Sequence, residues 1–492
     1  MEHHDVVIVG AGSAGGVIAD RLSADPDRRV LLLDAGPDFP DEATAPPALL
    51  TGGTVVGEGL AGAGPATPEH DWGLVSEPFA DGRRARLLRG RLVGGSGMVN
   101  GCVFVRGRPA DHDAWEARGA TGWGWGSFVH DVERVEATIP TRVYDLDHVG
   151  PLQRVFLAGW EAAGMLPHDD LNAPDAWDGV VGRWPQNRRN EIRLGSLVTY
   201  VRRARGRANL EIRGGTLVDR VLFDGDRARG VRCRAGDGTV VDVGADVVVL
   251  AAGAYGSAPI LLRSGIGPAD ELRAAGVVPR AELPVGRGLM DHPQALLPTV
   301  MPPALARLMV PWYAVAARGA DFWSFPLAHD EERGLGVLAL GLATEDRSGW
   351  LRLASRDPAD RPRIFHPYDA AIRDGAFEEP WRALRAFLAT APVREAGLRL
   401  RDPDLPLEAQ LRAHLATAFH PQGGCAIGEV VDPRLAVHGH EGLHVADASV
   451  FPGHVKNNPN LTCFAVGERA ARIVAGGPVD PRTAVAPEVE TA

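Results

Sequence analysis

A chain of 492 residues is too long for one small core, and at roughly 100–200 residues per domain it predicts two or three domains. Its 45% hydrophobic and 23% charged content is that of an ordinary globular protein. A net charge of −11 argues against nucleic acid as a partner, because phosphate binding needs clustered Lys and Arg.

Residues 5–9 read as a buried strand, Ser13 to Ser23 as a helix with small residues on its inner face, and Arg29–Asp34 as a second strand. This is a βαβ start and implies a parallel sheet. The turn between strand and helix is Gly10-x-Gly12-x-x-Gly15. Gly10 permits the tight turn, Gly12 lets the backbone approach a pyrophosphate, and Gly15 lets the helix pack on the strand. The helix N-terminus at Ser13 and Ala14 then offers N–H groups to phosphate. Asp34 ends the second strand 19 residues after Gly15, where a carboxylate takes ribose hydroxyls.

Residues 51–70, rich in Gly, Ala, Thr and Pro, predict a long loop of the kind that forms lids. A second glycine-dense segment runs from Arg89 to Gly101. Residues 209–250 alternate like paired strands with Asp-Gly turns at Asp224-Gly225 and Asp237-Gly238, and Asp246–Leu250 is a buried strand running into Ala251-Ala252-Gly253. Residues 348–365 read as a strand, a polar turn and an extended piece; residues 377–417 carry helical spacing; residues 476–492 read as a flexible tail. No run approaches the roughly 18 apolar residues of a membrane span. The first residues show no basic leader, and Cys102, Cys233, Cys425 and Cys463 form no Cys-x-x-Cys. A cytoplasmic protein with reduced thiols, no metal and no membrane span is expected. Only one nucleotide fingerprint is present, which with the second glycine-rich loop favours a resident flavin, FAD, over a flavin plus a nicotinamide.

Near the end stands His420-Pro421-Gln422-Gly423-Gly424-Cys425 and, 38 positions after the His, Asn458-Pro459-Asn460. Together with Leu33-Asp34-Ala35-Gly36, the loop Arg89 to Gly101, residues 250–267, Val285 to Pro293 and Leu443 to Ser449, these segments resemble the glucose-methanol-choline (GMC) oxidoreductases over nearly the whole chain. The His-Pro-x-Gly-Gly-Cys form is similar to the cholesterol-oxidase-like branch. The resemblance implies an α/β chain, α+β overall. Its parts are a Rossmann-like FAD-binding domain of the glutathione-reductase type (1–144, 191–295 and 416–475) and a discontinuous substrate domain on an antiparallel sheet (145–190 and 296–415).

It also implies the chemistry. Flavin N5 accepts a hydride from an alcohol carbon, and His420, whose titration range suits a base, takes the hydroxyl proton. Asn458 cannot titrate and orients the substrate oxygen. By the same resemblance FAD is held by Gly10, Gly12, Ser13, Ala14, Gly15, Asp34, Ala35, Arg91, Val93, Gly95, Asn100, Gly101, Val103, Val218, Ala252, Gly253, Asp447, Ala448, Asn458 and Pro459. Some relatives attach FAD through a His just before the loop Asn; Val99 stands there, so the flavin is expected to be non-covalent. His292 is expected to be structural, and Cys425, with no charged neighbour in sequence, is not expected to be a nucleophile. Trp312, Tyr313 and Trp323, with His454, are the substrate-side candidates, in a region without a basic cluster that suits an uncharged alcohol. Dioxygen or another carrier takes the electrons. A lyase of the hydroxynitrile type on the same fold is the alternative, since His420 would serve it too.

Overall fold

The computed structural model describes residues 2–51, 55–56, 63–64, 68–189, 192–307 and 314–483. Most of the expected lid at 51–70, and both Trp312 and Tyr313, lie outside these residues.

The chain forms a mixed α/β structure around two large sheets. The first is built from β1 (His3–Val9), β2 (Val30–Leu33), β3 (Leu210–Arg213), β4 (Thr216–Asp224), β5 (Arg227–Ala235) and β6 (Val240–Leu250), in the order β3-β2-β1-β6-β5-β4, with Leu443–Val445 added on β6. β1 is central and parallel to both neighbours: Val7 stands opposite Leu31 on β2 and Val248 on β6. It is covered on both faces, which is why Val6–Val9 is a continuous apolar run rather than an alternating one. β4, β5 and β6 form an antiparallel meander whose first reversal is the Asp224-Gly225 turn.

Helix α1 (Ser13–Leu22) follows β1 directly. It packs on a long C-terminal helix (Asn460–Val474) so closely that a Cβ at Gly467 would lie 2.7 Å from the Ala14 carbonyl oxygen. That helix is held from its other side by Trp125–Thr138. Asp131 of the latter is fully buried and accepts from Arg469 Nε at 2.7 Å and from Arg472 Nη1 at 2.6 Å. Arg469 is itself fully buried, donates to Ser127 Oγ at 2.9 Å and lies over the rings of Trp123 and Phe128.

The second sheet contains β7 (Pro293–Val300), β8 (Val315–Arg318), β9 (Phe322–Asp330) and β10 (Leu335–Leu342), in the order β7-β10-β9-β8. It continues through Val180–Arg183 to Leu166–His168, and these last two strands are its one parallel pair among the described residues. Its apolar core includes Leu297, Leu338, Leu340, Phe156 and Phe387 and is separate from the core under the first sheet.

Two sequence expectations are corrected. Residues 349–352 and 363–365 join Arg287–Leu289 in a small third sheet, and Leu351 and Ile364 pack in the first core rather than among the substrate-side residues. The cause is antiparallel pairing with 287–289, which sequence separation hides. Residues 476–483 are not a free tail: Val479 packs on the first core and Arg472 donates to the carbonyls of Pro478 and Val479, both at 3.0 Å.

Asp131→Ala leaves two cations without their carboxylate, one of them fully buried, and is expected to cost about 3–5 kcal/mol. Asp270→Ala, at an exposed pair with Arg273, is expected to cost less than about 1 kcal/mol. Urea unfolding of the two variants beside the native protein measures the difference.

Candidate active site

One large cavity runs from the β1–α1 turn to the face of the second sheet. At its first end each glycine of the turn has its own steric reason. Gly10 has φ +98°, and a Cβ there would lie 2.5 Å from the Ala251 carbonyl oxygen. A Cβ at Gly15 would lie 1.8 Å from the Gly10 carbonyl oxygen, so the helix can sit on its own turn only with hydrogen at that position. Gly12 is different: nothing lies nearer than 3.9 Å to its Cβ position, and the residue lines the cavity. It caps α1 without a side-chain hydrogen bond, and the first turn holds no acidic residue, so the helix N-terminus is open to an anion.

A second helix begins here. Asn458, Pro459 and Asn460 line the same space. Asn460 Oδ1 accepts from Ser13 Oγ at 2.7 Å, while its Nδ2 is buried with no partner among the described residues. Two helix starts, an open glycine and an orphaned amide donor fit a pyrophosphate-bearing group such as FAD.

Most of the expected cofactor residues line the cavity: Gly10, Gly12, Ser13, Ala14, Asp34, Ala35, Gly95, Asn100, Gly101, Val103, Val218, Ala252, Gly253, Asp447, Ala448, Asn458 and Pro459. Asp34 and Asp447 already carry structural loads. Asp34 accepts from the N–H of Ala11 at 2.9 Å and of Gly36 at 2.8 Å, and burial pushes its pKa up to about 6. Asp447 accepts from Gly253 N, Ser449 N and Ser257 Oγ, tying the end of β6 to the C-terminal block; burial raises its pKa too. Asn100 Oδ1 accepts from Cys102 N at 3.0 Å and from Arg193.

Three expected residues do not reach the cavity. Gly15 packs behind the turn, Val93 is fully buried in the first core with its N–H on the Pro37 carbonyl, and Arg91 lies over the Trp72 ring instead. Trp72, Arg89, Tyr255, Arg263 and Cys463 line it without having been foreseen.

His420 and Asn458 meet at the far end. Asn458 Nδ2 donates to His420 Nε2 at 3.0 Å, and both residues line the cavity. The turn before His420 is unusual: Phe419 has φ +63°, a conformation rare for a bulky residue. Its N–H donates to Thr417 Oγ1 at 2.7 Å, and Arg89 holds its carbonyl. Asp291 then fixes the histidine itself. Its Oδ1 accepts from the N–H of His420 and of His292, both at 2.8 Å, and its Oδ2 accepts from Tyr368 at 2.5 Å and from Thr417. Burial pushes the Asp291 carboxyl up, but His366, Thr417, Tyr368 and His420 outweigh it and hold it below the ordinary carboxylate range.

Burial pushes His420 down to about 4, against the pull of Asp291, so the ring is neutral near pH 7. His454 does not line the cavity. It lies behind His292, with ring centroids 4.0 Å apart and nearly parallel, and donates from Nδ1 to the Thr344 carbonyl at 3.0 Å. It too is pushed down to about 4 by burial. Cys425 is fully buried, and its thiol is held above its ordinary range by burial, as suits a packing residue.

The second sheet roofs this end. Trp323, Phe325 and Leu327 alternate along β9 so that all three face the cavity, and Gln294 and Leu296 do the same on β7. Trp184 and Val337 complete the wall. Trp184, Gln294 and Leu296 had no signal in sequence beyond period-2 spacing. Gly15→Ala is expected to leave purified protein with little or no bound flavin, checked by the ratio of visible to protein absorbance; Gly164→Ala, at a glycine with φ +100° but nothing near its Cβ position, is expected to retain it.

The sequence matches the model of the GMC oxidoreductase N-terminal domain over residues 4–294 and of the C-terminal domain over residues 345–467. It is 32% identical to an uncharacterised GMC-type oxidoreductase of Rhodococcus erythropolis, over 96% of this chain and 99% of that one. It is 31% identical to the oxygen-dependent choline dehydrogenase of Escherichia coli, over 97% of each. Among solved structures, pyridoxine 4-oxidase of Mesorbium loti superposes with a TM-score of 0.85 at 27% identity, over 96% of this chain and 100% of that one. The chain belongs to the GMC oxidoreductases, FAD-dependent enzymes that act on CH–OH donors.

Proposed function

We propose that this protein oxidises the CH–OH group of an uncharged alcohol to a carbonyl, with non-covalent FAD, His420 as the base and Asn458 as the group that orients the substrate oxygen. The observation that carries the reading is the 3.0 Å contact of Asn458 Nδ2 with His420 Nε2 in the same cavity as the open Gly12 turn. Bound flavin supplies a hydride acceptor at N5. His420, neutral near pH 7, takes the hydroxyl proton on Nε2. Asn458 keeps one state at every working pH and donates to the substrate oxygen. The roof of Trp323, Phe325, Leu327 and Leu296 excludes water and favours an uncharged body on the substrate, with the Gln294 amide as its polar point.

The choline dehydrogenase and the pyridoxine 4-oxidase, both similar to this chain, are named for small molecules that carry a hydroxyl group, in keeping with this chemistry. Electrons leave to dioxygen or another carrier. A lyase using the same His420 would leave the flavin oxidised, so bleaching of the visible flavin band by alcohols in the dark, without air, favours oxidation.

His420→Ala is expected to slow flavin reduction by about two to four orders of magnitude, the size typical of a general base. Unchanged reduction in stopped flow would reject the role. Because a base must be unprotonated and burial pushes His420 down to about 4, native reduction is expected to hold its rate from about pH 8 to about pH 5 and fall only towards pH 4. A midpoint near 6.5 would contradict a buried base.

Val99, buried and without a nucleophilic atom, stands in the loop position where some relatives attach FAD. Acid precipitation is therefore expected to release the flavin into the supernatant. Flavin that stays with the pellet would refute non-covalent binding.

A further inference from the structure

His292 is fully buried and lies outside the cavity lining, yet its ring meets the one ring that the proposed chemistry uses. Its Nδ1 is 3.0 Å from His420 Nδ1, and the two rings stand at 88°. On the other side of His420, the amide nitrogen of Asn458 is 3.0 Å from Nε2. An amide nitrogen donates and cannot accept, so Nε2 of a neutral His420 bears the lone pair and Nδ1 bears the hydrogen. That hydrogen points at His292 Nδ1, which must then be the acceptor. With the Asn458 amide turned this way, one assignment of protons satisfies both contacts.

The alignment is built in by the backbone. Asp291 Oδ1 takes the N–H of both His292 and His420, so a single oxygen sets the spacing of the two residues. The His292 ring is clamped between His454, stacked at 4.0 Å, and the edge-on ring of Trp323 at 4.8 Å. Packed this way, it presents Nδ1 to His420.

We infer that His292 is a positioning residue for His420: its Nδ1 lone pair accepts the His420 Nδ1 hydrogen and keeps the basic lone pair on Nε2, beside Asn458 and the cavity. This rests on the reading of His420 as the base. A ring free to adopt the other tautomer presents a hydrogen where the substrate proton must go, and an enzyme histidine held in the wrong tautomer loses much of its rate.

The substitutions His292→Asn and His292→Leu separate this role from packing. Asn keeps an oxygen acceptor near the Nδ1 position, whereas Leu fills similar space and accepts nothing. His292→Leu is expected to slow flavin reduction by about 100-fold with its flavin content kept, and His292→Asn to recover most of the native rate. Native speed in the Leu variant, or equal loss in both, would overturn the inference. A second readout needs no turnover and leaves His292 in place. In native holoenzyme labelled with 15N-histidine, the signal that His420→Ala removes is expected to show the hydrogen on Nδ1 and the unprotonated nitrogen at Nε2; the reverse pattern would overturn it. His420→Ala measured alongside keeps the two readings apart. If that variant is slow and His292→Leu is not, only the positioning role falls; if that variant reduces flavin at the native rate, the base itself is wrong.

Discussion

The Asp291 carboxylate accepts four hydrogen bonds, from the N–H of His292 and His420 on one oxygen and from Tyr368 and Thr417 on the other. A buried carboxylate without such partners would protonate or force its surroundings open. Here burial does push its pKa up, but its neighbours more than reverse the effect, and the group stays charged. Its donors come from separate parts of the molecule. Tyr368 follows a strand of the small third sheet, Thr417 ends a strand paired to β7, and His420 lies in the turn beyond it. One charge thus joins the small sheet, the roof and the His420 turn. The strained Phe419 backbone persists because Thr417 and Arg89 hold it from either side.

The opposite end of the cavity depends on absence of side chains rather than on charge. Backbone approaches of 1.8 Å at Gly15 and 2.5 Å at Gly10, measured to a Cβ that is not there, leave no room for any other residue. Gly12 alone is open, and its openness faces the cavity. The same fingerprint therefore contains two glycines required by the fold and one that suits a ligand. The C-terminal helix brings Asn460 to this place because it is locked against α1 at Gly467 and against Trp125–Thr138 through Asp131. A buried ion pair more than 300 residues apart in sequence thereby bears on where the cofactor end of the cavity lies.

Local demands were the legible ones. The glycine turn, β1, α1, β2 and the Asp224-Gly225 hairpin are read from short windows, because tight turns and buried strands impose composition on the residues that make them. His420 and Asn458 could be paired across 38 positions only through motif resemblance. Where a residue's direction depends on tertiary register, sequence was mute or misleading. Val93 and Arg91 sit in the right loop, but one points into the core and the other onto Trp72. The wall residues Trp184, Gln294 and Leu296 become neighbours through strand pairings that join distant segments. Residues 349–365 belong with 287–289 for the same reason.

The placement of Asp291 also explains why His420 can be both oriented and unprotonated. A carboxylate bonded to the Nδ1 hydrogen of a histidine raises its pKa, since it favours the charged ring. In this protein the carboxylate bonds the backbone N–H of His420, and the ring nitrogen meets the neutral ring of His292 instead. His292 lies well below its ordinary range, mainly through burial, so it stays a neutral ring beside His420 and offers its proton no carboxylate-like pull. Burial then dominates, and His420 stays unprotonated far into acid. Orientation comes from a charge held at the backbone, and the unprotonated state from neutral partners at the ring.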